Sequence, residues 1–145
     1  MEFKNDLDFL SNYYHSPIVY KEKEYSTVEH FFQSYKTLEK PLQEVIRNAN
    51  TPGKAKRLGR NVALREDWER DKHLVMTTGV HLKFSSSTEL KAKLLATGDL
   101  ELVEGNTWHD NHWGDCSCTK CKDIVGENRL GIMLMEVRDI LKEED

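Results

Sequence analysis

The chain has 145 residues, 38% hydrophobic and 32% charged, with a formal net charge of −4. That length and balance fit one globular domain over residues 1–145, and no apolar run is long enough to cross a membrane. The acidic balance excludes broad, non-specific attachment to nucleic acid but leaves room for a local basic pocket around one phosphate.

Met1-Glu2-Phe3-Lys4-Asn5-Asp6 lacks the basic flank and apolar stretch of a secretory signal, so the expected location is the cytoplasm. After Phe9-Leu10-Ser11-Asn12, residues 17–25 read as two short strands around a polar turn. Residues 25–36 read as a helix with Glu29, Gln33 and Lys36 on one stripe. Val28, Phe31, Phe32, Tyr35 and Leu38 form a separate apolar arc. Glu29 and Lys36 are then two turns apart, about 10 Å along the axis. That is too far for a surface ion pair at i, i+4, yet both can reach one ligand between them. The structural alternative is a capping box with Ser26 as N-cap and Glu29 at N3.

Pro41 opens a second helix to about Asn50, and Thr51-Pro52-Gly53 starts a third, with Thr51 as N-cap. Further helices are expected from Asp67 to Phe84 and from Ser87 to Ala96. Leu100 to Glu104 alternates like a short strand. A polar loop over residues 105–127 holds two tryptophans, two histidines and all three cysteines. Asn128 is placed to cap a last helix, in which Leu130, Met133, Leu134, Val137, Ile140 and Leu141 keep helical spacing. The expected fold is mainly α with a small β hairpin or sheet, an α+β domain.

Two segments carry chemistry by composition. Trp108 and Trp113 flank Asp110; paired indoles can grip a flat ring while the carboxylate moves a proton or holds a sugar hydroxyl. They can equally pin a long loop to the domain. The basic run Lys54, Lys56 and Arg57 lies at a helix N-terminus, where free N–H groups favour an anion, so it can seat a phosphate. The alternative there is a solvated basic face.

The motifs occur in a specific order. They are Phe9-Leu-Ser-Asn12, Tyr25-x-Thr27-Val28-Glu29-His30-x-Phe32-Gln33-x-x-Lys36, Thr51-Pro-Gly-x-Ala-Lys-x-Leu-Gly-Arg60 and Asp67-Trp68. Lys83-Phe84, Leu94-Leu-Ala-Thr-Gly-Asp99, Trp108-x-Asp110-x-x-Trp113-Gly114, Gly126-x-Asn128-x-Leu-Gly131 and Leu134-Met-Glu-Val-Arg138 complete the set. Together they resemble the NADAR, or YbiA-like, family from about residue 9 to the last helix. The resemblance implies an N-glycosidase acting on ribosyl-phosphate or ADP-ribosyl compounds: early riboflavin-pathway intermediates, or ADP-ribosylated guanine in DNA. It implies Glu29, Lys36 and Asp110 as catalytic residues. Trp68, Trp108 and Trp113, with Asn12, Gln33, Gly114 and Asn128, are the implied substrate contacts; Lys54 and Arg57 are added from charge.

Both implied substrate types join ribose C1 to an exocyclic amine, whose lone pair can open the sugar to an imine. Lys36 can exchange with that imine if its pKa is low enough to leave neutral amine. Direct hydrolysis, with one carboxylate activating water, is the competing chemistry. Neither needs a redox cofactor or a nucleotide donor. The expected partner is a small nucleotide or an ADP-ribosylated nucleic acid, with no membrane and no obligate protein partner. The rival class is a non-catalytic module that binds ADP-ribose or a related nucleotide.

One segment departs from the family pattern. Where many members have a short glycine-rich turn, this chain has Asp115-Cys-Ser-Cys-Thr-Lys-Cys121. An odd, clustered cysteine set reads as free thiols or metal ligands. Cys118-x-x-Cys121 has zinc-knuckle spacing, and Cys116 with His112 or His109 can complete a four-ligand structural site.

Overall fold

The computed structural model describes Phe3 and residues 5–144, and no helix among them is long and apolar enough to cross a membrane. Among the described residues the fold is mainly helical with two small two-stranded sheets, an α+β architecture as expected. Its residues group into two compact units: Asn12–Ser86, and the described residues up to Ser11 together with those from Ser87 onward.

The Asn12–Ser86 unit begins with strands β1 (Ile18–Tyr20) and β2 (Lys23–Tyr25), antiparallel with Ile18 opposite Tyr25. Lys21 and Glu22 form the two-residue turn, with φ of 49° and 68°. Two consecutive left-handed residues match the right-handed twist of the flanking strands. Helices α1 (Val28–Ser34), α2 (Lys40–Arg47), α3 (Pro52–Arg60) and α4 (Trp68–Ser85) follow. Ile18, Tyr25 and Phe31 are buried together. Around Phe31, the rings of Tyr20, Tyr25 and Tyr35 pack with centroids 4.9 to 5.3 Å away. These near-perpendicular and tilted contacts add to simple area burial.

α1 is shorter than its periodicity suggests. Thr27, not Ser26, is the N-cap, accepting the His30 N–H at 3.1 Å. Thr27 Oγ1 also meets His30 Nδ1 at 2.8 Å, while His30 Nε2 lies 3.0 Å from the Ala49 carbonyl. A carbonyl only accepts, so Nε2 carries the hydrogen and the threonine hydroxyl donates to Nδ1. The cap moves one residue along, and Glu29 is released from it. The helix ends at Ser34, so Lys36 lies beyond it, and Leu38 is 63% exposed, outside the apolar arc. α2 also stops short of Asn50, at Arg47.

The other unit contains a 3-10 helix (Asn5–Leu10), α5 (Thr88–Ala96), strands β3 (Gly105–Asn106) and β4 (Asp115–Cys116), and α6 (Arg129–Glu143). β3 and β4 run parallel. Leu94, Leu102, Leu134 and Val137 are fully buried. Arg138 is buried too, donating through Nη1 to the Thr97 hydroxyl and the Leu100 carbonyl, both at 2.9 Å.

The expected strand at Leu100–Glu104 does not form. Asn128 Oδ1 accepts the Glu104 N–H and its Nδ2 donates to the Leu102 carbonyl, each at 2.9 Å. A side-chain amide thus takes backbone groups that a partner strand would otherwise satisfy. Asn128 stands at the start of α6 with φ 50° but makes no side-chain cap, because both ends of its amide are spent there.

Candidate active site

The candidate residues form two groups, one in each unit. In the first, Glu29 is only 7% exposed on α1, and its Oε1 accepts from Gln33 Nε2 at 2.7 Å. The pair is one turn apart, as the stripe requires. The backbone N–H of Glu29 donates to the Asn12 carbonyl at 3.1 Å, and Asn12 Nδ2 points to Met76 Sδ at 3.2 Å. Asn12 therefore meets Glu29 through its main chain.

Gln33 Oε1 is buried without a hydrogen-bond partner. It rests against Gly59 of α3, where a Cβ would come within 2.0 Å of it. Only glycine permits that approach of helix backbone to amide.

Lys36 is half-buried, with Nζ 5.8 Å from the Phe32 ring centroid. Burial pushes its amine below the ordinary lysine value; Glu29 opposes this, while Lys56 and Arg60 add to the depression. Its carbonyl accepts the Arg65 N–H at 2.8 Å. Arg65 in turn pairs with Asp67 at 2.9 Å and Asp71 at 2.8 Å. Trp68 is buried, 5.1 Å from the Phe32 ring, with the Arg65 guanidinium 5.8 Å from its own centroid. It backs the lysine-bearing segment through Phe32.

Of the two cations that act on the amine, Lys56 belongs to the basic run expected from charge and Arg60 lies outside it. Ala55 and Gly59 are the buried face of α3, which leaves Lys56 and Arg60, one turn apart, to act on Lys36. Lys54 and Arg57 are exposed. Tyr13 also belongs to this group: burial and then Glu29 raise its phenol, against Arg60. Nothing in the local pattern marks Tyr13, whereas the i, i+4 spacing of Lys56 and Arg60 was a readable signal.

In the second unit the tryptophan loop is built around Asn106, which is buried. Its Oδ1 accepts the Trp108 N–H at 3.2 Å and the Asp110 N–H at 3.1 Å, and its Nδ2 donates to the Asp110 carbonyl at 2.8 Å. Asp110 Oδ1 accepts the N–H groups of His112 at 3.1 Å and Trp113 at 2.9 Å. An aspartate that bonds backbone two and three residues on fixes its own turn. Trp108 is 61% exposed and offers an open indole face; Trp113 is half-buried, edge-on to His112. At Gly114 a Cβ would lie 2.1 Å from the Glu104 carbonyl oxygen, so the loop passes there only as glycine.

The first N–H groups of α6 complete the frame. Arg129 donates to the His112 carbonyl and Leu130 to that of Trp113, both at 3.0 Å. Helix N-terminal donors that lack an intrahelical partner are thus spent on the loop.

The cysteines gather beside this loop. His109 Nδ1 and the sulfurs of Cys116, Cys118 and Cys121 all lie within 4.8 Å of one another. His112, the histidine first grouped with them, instead pairs through Nδ1 with Glu127 at 3.0 Å. That contact, with Arg129, holds the Glu127 carboxyl below its usual range. The exchange follows from the backbone: His109 has φ 70°, a left-handed turn that brings its ring to the thiols.

One unit thus holds a buried carboxylate and a half-buried amine depressed by burial, and the other holds an aspartate between two indoles. The NADAR domain family matches residues 2–142, and the chain belongs to it. It is 41% identical over 142 residues to the N-glycosidase YbiA of Shigella boydii, covering 97% of this chain and 85% of that protein. The Escherichia coli K12 N-glycosidase YbiA is 40% identical over the same coverage. A riboflavin biosynthesis protein of Vibrio vulnificus is 37% identical over 93% of this chain and 36% of its own length. The NMR structure of the E. coli protein YbiA superposes with a TM-score of 0.85 at 38% identity, over 99% of this chain and 83% of that one.

Proposed function

We propose that this chain, an N-glycosidase of the NADAR family, hydrolyses the bond between ribose C1 and an exocyclic amine in ribosyl-phosphate or ADP-ribosyl compounds. The observation that carries this reading is Lys36, whose amine is half-buried and depressed beside a buried carboxylate and two cations.

In the covalent route, a proton passes to the ring oxygen as the nitrogen lone pair opens the sugar to an imine at C1. The neutral Lys36 amine adds to C1, a proton passes from it to the nitrogen of the base, and the base leaves as its free amine, giving a protonated lysine imine. Water adds to that imine, returning the sugar aldehyde and the free amine. The sum is hydrolysis, with no oxidant or donor consumed. Glu29 and Asp110 are the carboxylates assigned to the proton transfers. Trp108, with its open face, and Trp113 are assigned to stacking on the base. Arg60 joins Lys54, Lys56 and Arg57 as a candidate for the phosphate, while Gly114, Asn128, Asn12, Gln33 and Trp68 shape the surroundings. The likeness to a riboflavin biosynthesis protein of Vibrio vulnificus makes amino-pyrimidine ribosyl phosphates the first substrates to try.

The test is direct. The purified chain is incubated with ribosylamino-pyrimidine phosphates and with ADP-ribosylated guanine DNA, with and without borohydride. Release of base, and a substrate-dependent adduct on Lys36 by peptide mass, are expected. Release without an adduct, with Lys36→Ala raising KM and sparing kcat, would replace the covalent route by direct hydrolysis. Tight binding with no release from either substrate would make the chain a nucleotide-binding module.

A further inference from the structure

We infer that His109, Cys116, Cys118 and Cys121 form a structural zinc site that braces the loop carrying Asp110 and Trp113. The site is independent of the lysine chemistry, and its residues belong to one unit.

The donor set is complete. Tetrahedral zinc with S and N bonds near 2.3 and 2.0 Å needs sulfur–sulfur edges of roughly 3.8 Å and sulfur–nitrogen edges of roughly 3.5 Å. His109 Nδ1 lies 3.2 Å from Cys118 Sγ and 3.4 Å from Cys121 Sγ, and all four donor atoms lie within 4.8 Å. The two nitrogen–sulfur distances already match a tetrahedral edge, and no other donor pair is more than 4.8 Å apart. Three thiolates and one imidazole suit zinc, which is borderline-soft and prefers four tetrahedral ligands. Binding exchanges the thiol protons for the ion, so zinc enters as protons leave.

The surroundings are arranged for bound sulfur. Cys116 Sγ accepts N–H groups from His109 at 3.3 Å and Cys118 at 3.5 Å, and Cys121 Sγ accepts from Asn111 Nδ2 at 3.4 Å. Such donors stabilise negative sulfur and orient it, the part that outer partners play around a metal. Asn111 also binds the Cys116 N–H through Oδ1, at 2.9 Å. Cys116 and Cys121 are buried while His109 is exposed, which leaves the ion an entry on the histidine side.

The ligands also span the right segments. His109 is inside the tryptophan loop, Cys116 is on β4, Cys118 precedes the 3-10 turn Thr119–Cys121 and Cys121 ends it. One ion would tie both sides of residues 110–115 together. Closing a loop in this way removes freedom that the unmetallated chain retains.

The experiment is metal analysis of full-length protein purified under reducing conditions without added zinc, followed by cobalt titration of the stripped protein. Expected are about one zinc per chain and the visible d–d and thiolate charge-transfer bands of tetrahedral cobalt. His109→Ala should weaken zinc by more than about 100-fold and Asn111→Ala by about 10-fold, since loss of outer partners alone costs 10–100-fold. His112→Ala should leave zinc affinity unchanged. Hydrogen exchange in residues 107–123 should rise when zinc is stripped. Sub-stoichiometric zinc with no cobalt bands in the folded wild-type chain overturns the site. Equal losses in the His109 and His112 variants overturn the ligand assignment.

Discussion

Lys36 and its neighbours make a prediction about pH. In the proposed covalent route the amine attacks only when neutral, and burial, Lys56 and Arg60 all favour the neutral form. The rising limb of kcat/KM should therefore lie at lower pH than for an ordinary lysine. Lys56→Gln and Arg60→Gln each remove a repulsive cation, so each should move that limb upward. Buffer-independent pH profiles check this, and a limb that stays put in both variants would disconnect those cations from the amine. The same depression has a stability sign. The unfolded chain holds its lysine proton to higher pH, so between the two pKa values the unfolded state binds more protons and stability rises with pH. Protonated Lys36 is a burden to the fold.

At the scale of elements, the tryptophan loop and α6 depend on asparagine side chains. Asn128 is the clearest case, because its amide satisfies the Leu102 carbonyl and the Glu104 N–H while its backbone is left-handed. Asn128→Ala leaves both groups unpaired and places alanine, which tolerates the left-handed region less well than asparagine, at φ 50°. We expect a loss of about 2–3 kcal/mol in chemical denaturation. If Asn128 instead contacts the sugar alone, KM would rise with the denaturation midpoint unchanged. The parallel pair β3–β4 is two residues long and cannot hold the loop by itself, which is why Asn106 and Asn111 carry so much of its bonding.

For the molecule as a whole, the net charge of −4 limits what it can hold. Lys56 and Arg60 are the cations that act on Lys36, so binding of a small phosphate-bearing substrate at the proposed site should lose affinity gently with salt. We expect log KM to rise with log salt with a slope of about 1–2. Measurement of KM across a salt series checks this, and a slope as steep as that of a multi-phosphate duplex binder would point to an extended nucleic-acid surface. The matched family and the superposed structure agree with the α+β fold, which local signals already outlined. Thr51 and Ser87 cap their helices through hydrogen bonds to residues three positions on, and Asp67 stands at the start of α4.

Short-range order was therefore determined by the chain's own pattern: caps, prolines, hairpin turn and apolar spacing act within a few residues. The Glu29–Gln33 stripe belongs with them, since helix geometry alone joins residues four apart. What needed the tertiary structure were choices among chemically equivalent groups. Periodicity cannot tell Lys56 from Lys54 until Ala55 and Gly59 are buried against α1. Composition cannot tell His109 from His112 until a left-handed turn aims one ring at the thiols and Glu127 takes the other. The alternation of residues 100–104 looked like a strand because side-chain pattern is silent about partners, and the partner here is the amide of Asn128. Those decisions rest on contacts between residues distant in sequence, where packing and hydrogen-bond completion outweigh local preference.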